Sequence, residues 1–310
     1  MFEQALDIEF FTIVLNGEPF IRYHIDVFEQ LPFRWHWHVV EGVAELKHDT
    51  AWSLKNGGRV SDELHRNGLS NDGTSEYLDE LESRFPDNVT VYRKRDGAFW
   101  DGKLEMVSAP LSTIDRECLL WEVDADELWT ADQICCARQL FLDNPGSTAA
   151  YYFCEFFVGP GLRTTTIDTY ANNTAYEWLR TWRFRPGHRW ITHEPPSLGV
   201  RHSATQWVDL AQINPLRHDV TGSHGLVFQH LAYVTPEQLR FKEVYYGYAN
   251  AVQQWERLQE QTDFPVYLRD YFDWVEDETL VDTVASAGSV PLAIKGEDGE
   301  WQFRTSKSRV

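Results

Sequence analysis

Over the first 130 residues, apolar runs at strand spacing alternate with apolar positions at helical spacing. Phe10 to Leu15 is a short apolar run closed by Asn16-Gly17-Glu18-Pro19. Pro19 suits the first position of a helix, and Phe20, Ile21, Ile25, Phe28 and Leu31 follow at helical spacing. Trp35 to Val40 reads as a second strand ending at Glu41-Gly42. Residues 43–70 are polar and aperiodic, an inserted excursion with a loop at Asn56-Gly57-Gly58. Asn71-Asp72-Gly73-Thr74 is a turn into a helix carrying Tyr77, Leu78 and Leu81. Val89 to Tyr92 reads as a third strand, Trp100 to Val107 as a helix, and Leu119 to Val123 as a fourth strand.

This alternation predicts an α/β fold, a mostly parallel doubly wound sheet flanked by helices. Thr130-Ala131-Asp132-Gln133 is a capping box opening a helix through Ile134, Ala137, Leu140 and Phe141. Ala149 to Val158 reads as one aromatic-rich strand. A second capping box, Thr235-Pro236-Glu237-Gln238, starts a helix expected to reach about Gln261 with an interruption at Gly247. The expected organisation is a main domain over 1–235, with 43–70 inserted, a helical region over 236–284 packed on it, and a loose Gly- and charge-rich tail over 285–310.

The chemistry concentrates at Leu119-Leu120-Trp121-Glu122-Val123-Asp124-Ala125-Asp126, an apolar run ending in two acids one residue apart. If the strand continued, alternation would aim Asp124 and Asp126 to one side, close enough to share a cation. The carboxyl ends of parallel strands are where such sheets bind ligands. Two carboxylates there suit Mg²⁺ or Mn²⁺ held jointly with phosphates. Acids after a strand often cap the next helix instead, but Thr130 already supplies that cap. Glu127, out of phase with the pair, is expected to be a surface acid.

The bulk numbers limit the partners. A hydrophobic content of 43% and charged content of 25% over 310 residues are those of an ordinary globular protein. The net charge of −20 argues against nucleic acid and anionic membrane as partners. An anionic ligand would then need a metal and local basic groups. No apolar run reaches membrane-spanning length, and Met1-Phe2-Glu3-Gln4 lacks a signal-peptide pattern. The four cysteines form no CxxC pair, so reduced thiols in a cytoplasmic protein are expected.

These pieces resemble the GT-A glycosyltransferases of the family 2 type. Phe11 to Glu18 resembles that family's opening strand and Asn-containing turn. Val39-Val40-Glu41-Gly42 resembles its second strand, with Glu41 where the family usually has Asp. Asn71 to Ser75 resembles the turn before its next helix, displaced here by the excursion. Val123 to Glu127 resembles its D-x-D signature. Trp182-Arg183-Phe184-Arg185, followed by Trp190-Ile191-Thr192-His193-Glu194, is similar to an R-x-F-R…H-E pattern in a bacterial subset. Gln229 to Tyr233 and Phe241 to Gly247 resemble a later pattern of those enzymes.

The resemblance implies a Rossmann-like GT-A fold and an inverting, hexosyltransferase-like enzyme. Its donor would be a nucleotide-diphosphate sugar, a UDP-sugar first, and its acceptor a glycan or other hydroxyl. It implies nucleotide contacts from Asn16, Glu18, Glu41 and Asp124, and Mn²⁺ or Mg²⁺ on Asp126 and Asp124. His193 and His230, both beside strand ends, are candidates to complete the metal site, His193 slightly ahead. Glu194 is the candidate base for the acceptor hydroxyl, with Glu155 and Asp168 behind it. It could equally pair with an Arg such as Arg183 or Arg201. Lys103, Arg183 and Arg185 are candidates to neutralise phosphate, whereas Arg93-Lys94-Arg95 reads as solvated. Trp35-His36-Trp37-His38 puts both Trp on one face and both His on the other, which favours sheet packing over zinc. Two other readings remain: a sugar-phosphate nucleotidyltransferase, disfavoured because the turn after the first strand is not Gly-rich and basic, and a non-catalytic sugar-binding protein.

Overall fold

A strand whose side chains are buried on both faces lies inside a covered sheet. β1 (Ile8–Val14), β2 (Trp35–Glu41) and β4 (Cys118–Glu122) are buried along nearly their whole length, and the half-buried β3 (Val89–Arg93) forms the sheet's edge; the four run parallel in the order β4-β1-β2-β3. The computed structural model describes residues 6–45 and 60–305; the expected loop at Asn56-Gly57-Gly58 lies outside them. A second sheet contains β5 (Glu127–Leu128), β7 (Phe153–Gly159), β8 (Leu162–Thr164), β14 (Val227–His230), β15 (Val266–Tyr267) and β16 (Leu280–Thr283), in the order β15-β16-β8-β7-β14-β5. The main sheet is completed by β9 (Leu179–Phe184), β6 (Ala149–Tyr151) and β13 (Pro215–Leu216). β9 is antiparallel to both β4 and β6, so the sheet is mixed and parallel-rich.

Helices α1 (Tyr23–Phe28), α2 (Thr74–Arg84) and α4 (Ala131–Asp143) cover one face, packing on Phe10, Trp37, Val39 and Trp121. Phe10 stacks on Phe28 at 4.0 Å between ring centres. The other face receives α3 (Lys103–Ser108) and the small sheet of β10 (Arg189–Thr192), β11 (Ser197–Arg201) and β12 (Trp207–Asp209), with Trp190 against Phe11 at 5.6 Å. α5 (His218–Ser223), α6 (Pro236–Phe241) and α7 (Ala251–Gln259) follow later in the chain. Both capping boxes form, at Thr130 and Thr235. α2 begins behind Gly73, whose φ of 106° is the conformation that favours glycine there. Among the described residues no helix is long and apolar enough to cross a membrane. All four cysteines are free thiols.

Three expectations need correction. The aromatic run over 149–158 is two strands in two sheets, β6 and β7, separated at Tyr152, because its ring is needed in the core beside Trp121. The region over 236–284 is not uniformly helical. α6 passes into a π-helical turn (Lys242–Tyr246), Gly247 at φ 77° ends it, and β15 and β16 extend the second sheet after α7. The tail is not loose as far as residue 305. β17 (Ala293–Lys295) and β18 (Trp301–Phe303) pair as a hairpin. Trp301 and Phe303, two residues apart and therefore on one face, lie edge-on to Phe20 and Tyr23 at 4.9 and 5.9 Å. The Trp35/Trp37 face does pack as expected, against Phe28.

Trp121 is fully buried among Phe10, Trp129 and Tyr152, at ring separations of 5.9, 5.0 and 5.7 Å. Trp121→Ala is expected to cost about 3–5 kcal/mol of folding stability, read from urea unfolding midpoints. A loss below about 1 kcal/mol would mean the two sheets do not depend on this aromatic cluster.

Candidate functional site

The chain leaves β4 at Glu122 and turns at once. Glu127 N–H donates to the Asp124 carbonyl at 3.0 Å, closing a four-residue turn. Asp124 and Asp126 therefore project from a turn rather than from alternate positions of one strand, and they part company. Asp124 accepts from Arg180 at 3.1 Å. Asp126 goes toward β14, because β5 pairs with β14 with His230 opposite Glu127, and Leu231 N–H donates to the Asp126 carbonyl at 2.9 Å. Its carboxylate lies 3.4 Å from His230 Nε2 and accepts from Gln238 Nε2 at 3.2 Å. Both acids stay at the carboxyl end of the parallel strands, with side chains 34% and 24% exposed.

Behind the pair sits Arg180, at the start of β9. Because β9 runs antiparallel to β4, with Trp121 opposite Thr181, its first residues reach the Asp end of the sheet. The guanidinium meets Glu127 at 2.6 and 2.9 Å, Asp124 at 3.1 Å and Glu122 at 3.5 Å, almost wholly out of solvent. Burial acts to lower its pKa, but the three carboxylates raise it above the ordinary value. Burial pushes Glu127 up to about 7 and raises Asp124, each against the pull of Arg180. Asp126 is held down at about 2; burial opposes this, and His230 together with Lys242 overcomes it.

The same antiparallel register sends Arg183 and Arg185 to the far end of the sheet. There they pair with Glu117 at 3.1 and 2.8 Å, and Arg183 also donates to the Ser147 and Phe141 carbonyls at 3.0 and 2.6 Å. Neither reaches the Asp pair, so the expected phosphate contacts from them are corrected. Glu127 is not a surface acid either, being fully buried. Arg180 was missed because the segment holds three arginines and only the strand's direction distinguishes them.

His193, just past β10, spends Nε2 on Glu122 at 2.8 Å, and its Nδ1 is buried without a hydrogen-bond partner, 4.0 Å from Glu194. Glu194 forms its ion pair with Lys103, at the start of α3, rather than with Arg183 or Arg201. Lys103 also donates to the Tyr246 hydroxyl at 3.3 Å. Burial would raise the Glu194 carboxyl, but Lys103 and His193 bring it below the ordinary value. Thus Lys103, Glu194 and Tyr246 form one bonded group and Asp126, His230 and Gln238 another. Of the two acids ranked behind Glu194, Glu155 accepts from Gln229 at 2.8 Å and Ser289 at 2.6 Å, and Asp168 caps Thr174, so neither joins the cluster.

The nucleotide-side residues hold the loops together. Asn16, at φ 61°, donates to the Leu64 carbonyl at 2.8 Å and accepts from Asn71 N–H at 2.9 Å. Glu18 pairs with Arg22 at 2.7 Å. Glu41 ties three segments together. Wholly buried, it accepts from Ser75, from Ser70 N–H at 3.1 Å and from Arg93 at 2.6 Å. Arg93 is thus an internal partner rather than a solvated base.

Among the described residues no three His, Cys, Asp or Glu side chains gather as a metal-holding group. Asp124, Asp126, His193 and His230 do not form a four-ligand cage, since Arg180 and Glu122 take the first and third. What remains is a pair, Asp126 with His230, whose Nδ1 is buried and unpartnered between Phe156 and Trp178. One carboxylate and one imidazole fit Mn²⁺ or Mg²⁺ when phosphate oxygens and water complete the shell. A separate groove of about 580 Å³, between residues 143–147 and 214–220, opens at the other end of the sheet, by the Ser147 carbonyl that Arg183 holds. It contains none of these groups.

No protein-family model matches the chain, and no curated protein sequence matches it. Among solved structures it is similar to TarS of S. aureus. Against the TarS 1–349 fragment the TM-score is 0.38 at 15% identity, covering 57% of this chain and 47% of that one. Against a longer TarS chain the TM-score is again 0.38, at 13% identity, covering 57% and 28%. The chain therefore spans less than half the length of either structure, and the α/β assignment rests on its own strand order.

A carboxyl raised from 4.5 in the unfolded chain to about 7 in the folded one binds a proton on folding. Stability contributed this way is full below pH 4.5 and is lost as pH rises to about 7. Glu127→Gln is expected to flatten the fall in unfolding free energy across that window, measured by urea titrations at several pH values. An unchanged slope would place the proton elsewhere.

Proposed function

We propose that this chain is a glycosyltransferase moving a sugar from a nucleoside-diphosphate sugar, a UDP-sugar first, to an acceptor hydroxyl. The observation that carries the reading is the Asp126–His230 pair, flanked by Asp124, at the carboxyl end of parallel strands. In this reading Asp126 and His230 hold Mn²⁺ or Mg²⁺. When bound, that ion supplies positive charge to the departing diphosphate. Asp124, steadied by Arg180, is left to contact the sugar or ribose rather than to serve as the main ligand.

Glu194 is the base. Its carboxyl lies below the ordinary value, so it is ionised at neutral pH and able to take the acceptor's proton as the hydroxyl attacks. Lys103 orients it, and a single base fits transfer with inversion. A nucleotidyltransferase would need a phosphate-cradling loop after β1, where Asn16 instead ties that turn to Leu64 and Asn71. A sugar-binding protein without catalysis would bind donor and never turn it over.

Calorimetry with UDP and Mn²⁺ is expected to show metal-dependent binding that Asp126→Asn weakens about tenfold or more. Equal binding by both proteins, or none by the wild type, would sink the transferase reading. Glu194→Gln should keep donor affinity while lowering turnover about 10²–10⁴-fold, measured with a panel of UDP-, GDP- and dTDP-sugars. Binding without turnover of any of these by the wild type would favour the sugar-binding alternative.

A further inference from the structure

Three cations surround the acidic cluster, and two are committed. Arg180 is held by Glu122, Asp124 and Glu127, and Lys103 by Glu194. The third, Lys242, makes no ion pair among the described residues. Its ammonium stands over the rings of Tyr233 and Tyr246, at 5.1 and 5.7 Å from their centres. Aromatic faces stabilise a cation without neutralising it. The side chain is partly exposed; burial lowers its pKa from the ordinary lysine value against the pull of Asp126, and its charge in turn helps hold Asp126 down.

The backbone explains its aim. Gln238 and Lys242 are four residues apart, hence neighbours on one helical face, and Gln238 reaches Asp126 at 3.2 Å. Lys242 opens the π-helical turn that ends at Tyr246, whose hydroxyl accepts from Lys103 at 3.3 Å. Such turns are rare and recur at functional sites. One helical face therefore presents Gln238, Lys242 and Tyr246 between the Asp126–His230 pair and the Lys103–Glu194 pair.

We propose that Lys242 is the cation that receives the pyrophosphate of a nucleoside-diphosphate ligand, beside the Asp126–His230 pair; this rests on the transferase reading above. A compact ammonium with three donors suits phosphate oxygens as a point charge. In a protein of net charge −20, a cation without an ion pair, set among Asp124, Asp126 and Glu194, gives the incoming anion its local attraction. Without such an anion, the site keeps its lysine on two tyrosine faces.

The test is calorimetry of wild type, Lys242→Met and Lys242→Arg with UDP, uridine and inorganic pyrophosphate, in Mn²⁺ and in EDTA. The melting temperature of each variant serves as the folding control. Lys242→Met is expected to weaken UDP and pyrophosphate by about ten- to hundredfold while leaving uridine unchanged, and Lys242→Arg to restore part of the loss. Undiminished UDP binding by a folded Lys242→Met protein overturns the proposal and leaves the transferase reading standing. If Met does not fold, the same comparison is made with Lys242→Gln. No binding of UDP, GDP, dTDP or pyrophosphate by the wild type overturns both.

Discussion

One guanidinium organises the site. Glu122 ends β4, Asp124 and Glu127 bound the turn after it, and all three carboxylates converge on Arg180 from the neighbouring strand. Buried carboxylates this close repel one another and lose hydration, and a single cation offsets both effects only in part. The residual strain shows as the raised Glu127 and Asp124 carboxyls. Removing the cation would leave uncompensated buried charge, so the turn carrying the Asp pair has its shape because Arg180 is there. The antiparallel placement of β9 in an otherwise parallel-rich half of the sheet is what delivers it.

The order of charges across the cleft follows. Asp124 leans to Arg180, which leaves Asp126 to His230 and Gln238. Glu194 leans to Lys103, which leaves His193 to Glu122. Each acid that could face a ligand is held by a partner on a different structural element: β9, β14, α6 or α3. The site is thus a meeting of separately anchored pairs.

Much of this was legible in the sequence. Strand–helix alternation indicates the order and nature of the main elements through β4, and both capping boxes form where Thr130 and Thr235 stand. The Asp pair, His230, Glu194 and Lys103 do collect at one end of the sheet. What could not be read was strand direction and pairing. Alternation assumed that β4 continued through Asp126, whereas the chain turns at Asp124 so that Glu127 can pair with His230 in another sheet. Arg180, Arg183 and Arg185 look equivalent in sequence, and only the antiparallel register assigns the first to the site and the others to Glu117. The hairpin at β17 and β18 was hidden because its two useful aromatics are scattered among glycines and charges.

Gln238 illustrates a finer constraint. Its Oε1 accepts from Val234 and Thr235 N–H at 2.9 and 3.2 Å, completing the cap of α6, while its Nε2 donates to the Leu231 carbonyl and to Asp126. A glutamate would complete the cap equally well. It has no N–H, however, and would set another anion against Asp126. The choice between two residues that helix physics treats alike is therefore made by the acid that Nε2 also reaches, so the cap of α6 and the position of Asp126 share one side chain.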